Sequence, residues 1–61
     1  MTDRELDAVY TALCQTMTQL GPAQAPLFLA RFALLAIKRI DDAGAAAGLI
    51  EAAARDLDPP A

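Results

Sequence analysis

Apolar positions fall at three- and four-residue intervals along the first twenty residues: Leu6, Val9, Tyr10, Leu13, Met17 and Leu20. That spacing places them on one stripe of a helix, with Asp7, Thr11, Gln15, Thr18 and Gln19 mostly away from it. Thr2 and Glu5 supply a Ser/Thr-x-x-Glu start, in which each side chain can satisfy the other residue's backbone N–H. Asp3 and Glu5 suit the positive end of the helix dipole. Gly21 followed by Pro22 is a stop. The first helix is therefore expected over about residues 3–20.

The next stretch, "LFLARFALLAIKRI" (Leu27–Ile40), is different in kind. Pro26 suits the first turn of a helix, where no N–H is required, and Lys38 and Arg39 suit its carbonyl end. A helix over about 26–41 has Arg31 and Lys38 stacked on one narrow stripe, bordered by Leu27 and Leu35, with Arg39 to one side. Leu29, Ala30, Phe32, Ala33, Leu34, Ala36, Ile37 and Ile40 make the rest of it apolar. A helix that is apolar nearly all round is expected to be buried nearly all round.

Asp41 or Asp42 is a good N-cap for a third helix over about 43–57. Its apolar side is Ala46, Leu49, Ile50, Ala53 and Leu57, and Glu51 and Arg55 form an i,i+4 pair. Gly48 weakens it, so docking is needed to hold it. "DPPA" at 58–61 reads as a helix stop and a disordered tail. The expectation is an all-α, three-helix protomer, a single helical domain over 1–57 with helix 2 at its centre.

Length turns this pattern into a claim about partners. A chain of 61 residues buries only about 60% of the surface its unfolded form exposes, and small domains commonly lean on disulfides, metals or another subunit. One cysteine and no histidine rule out an internal disulfide and a Cys/His zinc site. Helices 1 and 3 can cover about half the circumference of helix 2, and each large apolar side chain left in water forfeits roughly 1.5–3 kcal/mol. These constraints point to a two-fold homodimeric bundle, with Leu29, Phe32, Ala33, Ala36, Ile37 and Ile40 as its interface. Ala33 and Ala36 form the low groove where a second helix can approach.

Candidate chemistry is sparse. Cys14, at the edge of the first stripe, reads as a buried inert thiol with no histidine to activate it. Tyr10 reads as a core residue with its hydroxyl at the rim. Arg31 has two readings: a side chain reaching to solvent along its aliphatic stem, or one half of a buried ion pair with Asp7, Glu5 or an acid of helix 3. No paired catalytic acids, phosphate loop or triad is present, so the chain does not read as an enzyme and no cofactor or metal is expected.

The net charge of −3 disfavours nucleic acid as a partner. The apolar run is too short and too interrupted for a membrane span, and the charged N-terminus lacks the apolar core of a signal peptide. With one reduced thiol, the cytoplasm is the expected compartment.

"DAVYTAL" (Asp7–Leu13) and "LARFALLAIKRIDD" (Leu29–Asp42) resemble a family of short bacterial all-helical proteins of unknown function. They are similar to its Asp-x-x-Tyr-x-x-Leu opening and its leucine-rich central helix. The resemblance spans about residues 5–57. It departs at Lys38 and Arg39, where an Asn or His is usual, and at Asp41, where a glycine is usual. It implies the helical fold and a bacterial origin, and no activity.

The functional expectation is a small homodimerising interaction module, an accessory subunit of a larger cytoplasmic protein. A carrier of an apolar small molecule between helices is the alternative. A helix-turn-helix-like DNA binder is a third reading, weakened by the alanine-rich helix 3.

Overall fold

A cap opens the first helix as the sequence implies. In the computed structural model, which describes residues 1–59, the Thr2 hydroxyl accepts from the Glu5 N–H at 3.1 Å. The Glu5 carboxylate accepts from the Thr2 N–H at 2.8 Å. Helix α1 then runs over Asp3–Leu20. It stops at Gly21, whose φ of 85° and ψ of 167° lie where a Cβ is not tolerated without strain. The Gly21 N–H closes the helix on the Met17 carbonyl at 3.0 Å, and the Gly21 carbonyl accepts from Gln24 and Ala25 to form the corner.

Helix α2 is Ala25–Lys38, with proline in its first turn and no side-chain cap. It ends three residues before the expected boundary near 41. Its end tightens into i→i−3 bonds, the Arg39 N–H donating to the Ala36 carbonyl and the Ile40 N–H to the Ile37 carbonyl, each at 3.0 Å. Beyond it Asp42 is extended, and its carboxylate accepts from the Ala45 N–H at 2.9 Å to cap the third helix.

Helix α3 is Ala43–Ala54 and also stops three residues short of the expected 57. Arg55 is extended and Asp56 takes a positive φ of 65°, a conformation that Asp tolerates better than most residues. Leu57, which would have rewarded a longer helix by packing, is 72% exposed. No strand occurs among the described residues. Of the expected tail 58–61, Asp58 and Pro59 are exposed and irregular; positions 60 and 61 lie outside the described residues.

The three helices do not close on one another. α1 and α2 touch near their shared corner. No two Cα atoms twelve or more positions apart come within 8 Å among the described residues, so the helices diverge from the corner. The radius of gyration is 13.4 Å, against about 10.5 Å for a compact chain of this length. No described residue is buried. Leu13, Thr16, Met17, Phe28, Ala36, Ile40 and Ala46 are among those half-covered. The expected cover of about half of α2 by its own chain is therefore not reached: α1 shields it only near the corner, and Leu49 and Ile50 of α3 stand in solvent.

Candidate functional site

The wedge between α1 and α2 is a concavity built by two elements. α1 contributes Leu6, Val9, Tyr10, Ala12, Leu13 and Thr16 at helical spacing, and α2 contributes Phe28 and Phe32, one turn apart. The cleft holds about 400 Å³. It is nearly free of hydrogen-bonding groups. The Thr16 hydroxyl is turned back onto the Ala12 carbonyl of its own helix at 2.9 Å. Tyr10, also in the lining, is 63% exposed. Such a lining discriminates by shape and apolar contact; it offers little to a polar ligand.

The expected interface residues are distributed unevenly. Phe32 lies in the cleft. Ala36 and Ile40 are half-covered, whereas Leu29, Ala33 and Ile37 are exposed. The largest uncovered apolar side chains of α2 are ones the sequence pattern places elsewhere or at the edge of a charged stripe: Leu27, Leu34 and Leu35, the last 61% exposed. Leu27 and Leu34 are seven positions apart and so share a face. Arg31 is exposed, so a desolvated ion pair at this residue requires a second chain.

Two expectations are corrected. Cys14 is exposed, because the flank of α1 that it shares with Thr11, Gln15 and Thr18 faces no other helix. Tyr10 is a rim residue of an open cleft and not a core residue, since α2 diverges before it can cover the ring.

The electrostatics are segregated along the chain. Between Ala8 and Ile40 there is no carboxylate, only Arg31, Lys38 and Arg39. All eight carboxylates lie in the flanks: Asp3, Glu5 and Asp7 before it, Asp41, Asp42, Glu51, Asp56 and Asp58 after it. The side-chain hydrogen bonds of the described residues are all local, within four positions, and none involves those three cations. The Glu5 pKa lies below the ordinary 4.5, first because of the Thr2 backbone N–H and then because of the Thr2 hydroxyl, with slight desolvation opposing.

No protein-family model, curated protein or solved structure matches the chain. The functional reading therefore rests on its own geometry. Among the described residues, no cluster of three or more metal-ligating side chains is assembled, and no helix is long and apolar enough to cross a membrane.

Proposed function

We propose that this protein is a homodimerising helical interaction module, with α2 as the shared core of a two-fold pair. One observation carries the reading: a chain whose composition is 56% hydrophobic has no buried residue among those described. It exposes 5592 Å², roughly half as much again as the about 3800 Å² expected of a compact monomer of 6.4 kDa. Net stabilities are only about 5–15 kcal/mol. A chain that leaves Leu27, Leu34, Leu35, Leu49 and Ile50 in water forfeits a comparable amount at roughly 1.5–3 kcal/mol each. Pairing recovers it.

The carrier alternative is less well supported. A small-molecule site encloses most of its ligand, and this cleft is bounded by side chains such as Leu6 and Val9 that are themselves more than half exposed. Once α1 and α2 are paired, the apolar side of α3 is the surface on which an accessory subunit would meet a larger protein. We place this role in the cytoplasm, where the single exposed thiol of Cys14 stays reduced.

Sedimentation equilibrium at micromolar concentration tests the central proposal. The expected result is a species of twice the 6.4 kDa chain mass that dissociates and loses helicity together on dilution. A monomer that melts cooperatively at high dilution would overturn it.

A further inference from the structure

Resting on the accessory-subunit reading above, we propose that the larger protein contributes an acidic amphipathic helix, which docks along the Leu27–Arg31–Leu34–Lys38 stripe of α2. This adds a charged contact to the one made by the apolar side of α3.

The stripe is set by spacing. Leu27, Arg31, Leu34 and Lys38 follow one another at intervals of four, three and four residues, and at 3.6 residues per turn they fall within an arc of about 60°. That is the repeat by which one helix presents a seam to another. All four side chains are exposed, Leu27 by 53% and Leu34 by 55%. The arc lies roughly 110° round from Phe28 and Phe32, which line the α1/α2 cleft, so the cleft and the stripe are separate surfaces. Leu29, Ala33 and Ile37, also exposed, lie on a third, uncharged side of α2 that is open to the second copy of the dimer.

Charge names the occupant. Arg31 and Lys38 interrupt the apolar positions, with Arg39 beside them, and there is no carboxylate between Ala8 and Ile40. None of the three cations is engaged by a side-chain hydrogen bond among the described residues. A wholly apolar helix laid on the stripe would take two cations out of water without partners, which is costly. A helix that carries acids between its apolar residues matches both halves of the pattern.

No helix among the described residues supplies such a face. The acids of α1 precede residue 8. Glu5 is held in the Thr2 cap, and the stripe of Asp7 continues through Thr11, Cys14 and Thr18. Leu6 and Leu13 of α1 line the chain's own cleft. In α3 the one charge, Glu51, lies about 160° from Leu49 and about 100° from Ile50. A second copy is therefore not the occupant. An anionic bilayer fits less well than a helix. A broad surface meets Asp41 and Asp42 next to Lys38 and Arg39, in a chain of net charge −3, whereas a helix touches one stripe.

The probe for this contact is a fluorescent synthetic peptide of about 18 residues, long enough to hold a helix. Leucine and glutamate alternate in it at four- and three-residue intervals, with alanine elsewhere. Anisotropy against the full wild-type chain should show saturable binding that loosens as salt is raised. An isomer of the same composition, with its glutamates opposite its leucines, should bind at least about tenfold more weakly. The Arg31→Glu, Lys38→Glu variant should lose the acidic peptide by a similar factor and take instead a peptide with lysine in place of glutamate. That gain also shows the variant to be folded.

Equal binding of the two isomers, or no binding of either, would overturn the contact. So would a charge-reversed variant that keeps the acidic peptide, or one that is helical by circular dichroism yet refuses the lysine peptide. Binding to vesicles of phosphatidylglycerol and phosphatidylcholine in place of the peptide would also overturn it and assign the stripe to a bilayer. Sedimentation of the same samples separates this contact from the dimer. A wild-type dimer that ignores the peptide fails the contact alone, and a monomer that binds it fails the dimer alone.

Discussion

α1 and α3 begin in the same way. Each is opened by a side chain accepting from a backbone N–H three residues on, Thr2 for Glu5 and Asp42 for Ala45. Beyond the cap they part. α1 has a polar side that water can wet and an apolar side that half-covers Leu13, Thr16 and Met17 against the corner. α3 has seven alanines, two glycines and one charge, Glu51, in its twelve residues. It has the backbone preference for a helix but little side chain with which to dock, and Leu49 and Ile50 stand exposed. At twelve residues it sits at the lower limit of what holds alone in water. The difference teaches that a cap starts a helix but does not keep it: α1 is retained by its corner and its two-sided pattern, α3 by alanine propensity alone until something packs on it.

The largest expected effect that sharpens this contrast is at the corner. Gly21→Ala introduces a Cβ that meets nothing within 4 Å, so sterics with neighbours are not the issue. The cost comes from φ +85°, a region nearly reserved for glycine, at about 1–3 kcal/mol. Chemical denaturation at fixed chain concentration, needed because assembly makes stability concentration-dependent, should show a loss of that size. Hydrogen exchange should place it in α1 and α2, with α3 amides unchanged. Equal loss of protection in α3 would mean that the two regions are one cooperative unit.

The next effect has the opposite sign and the opposite location. Gly48 lies inside α3, has no positive φ, and a Cβ added there also meets nothing within 4 Å. Gly48→Ala should stabilise α3 by about 1 kcal/mol, seen as slower exchange of the amides after residue 48 and more helix by circular dichroism. α1 should not respond. If the substitution instead weakens the dimer, Gly48 is a point of close approach by another chain, and α3 belongs to the interface.

Much of this contrast is legible in the sequence, for reasons tied to range. The capping box, the Gly21–Pro22 stop and the Asp42 cap are contacts within four residues, and such contacts are written locally in residue type. The α1 span of 3–20 rests on them. Periodicity alone places the ends of α2 and α3 three residues too far on. Apolar spacing continues through Ile40 and Leu57, while the backbone turns into the Asp42 cap and into the positive φ of Asp56. The splay of α1 from α2 is beyond the reach of periodicity. It decides that Tyr10 and Cys14 are exposed, and that Leu27, Leu34 and Leu35 are the most exposed large apolar side chains of α2. The segregation of carboxylates from the stretch 8–40 is present in the sequence as well. It acquires meaning only when the fold shows no side-chain hydrogen bond to those cations among the described residues.

The smallest effect separates the two caps by pH. Thr2 holds the Glu5 carboxyl below its ordinary 4.5, chiefly by its backbone N–H and secondarily by its hydroxyl. The unfolded chain has no such bonds, so its Glu5 titrates at the ordinary value. A carboxyl depressed in the folded state stabilises that state fully above the unfolded pKa and loses its contribution as pH falls through the lower folded value. The first turn of α1 should therefore fray on acidification below pH 4.5. Because the pair is fully solvated, the effect should be small and reduced by salt. Acidification acts on the whole chain, so the informative quantity is a difference. Glu5→Gln keeps a side chain that can accept from the Thr2 N–H but carries no charge to lose. Protection of the amides in the first turn of α1, taken relative to the intrinsic exchange rate at each pH, should fall more for wild type than for Glu5→Gln between about pH 7 and about pH 3. Parallel curves would show that the carboxylate charge adds nothing to the Thr2 cap, leaving α1 and α3 distinguished by packing alone.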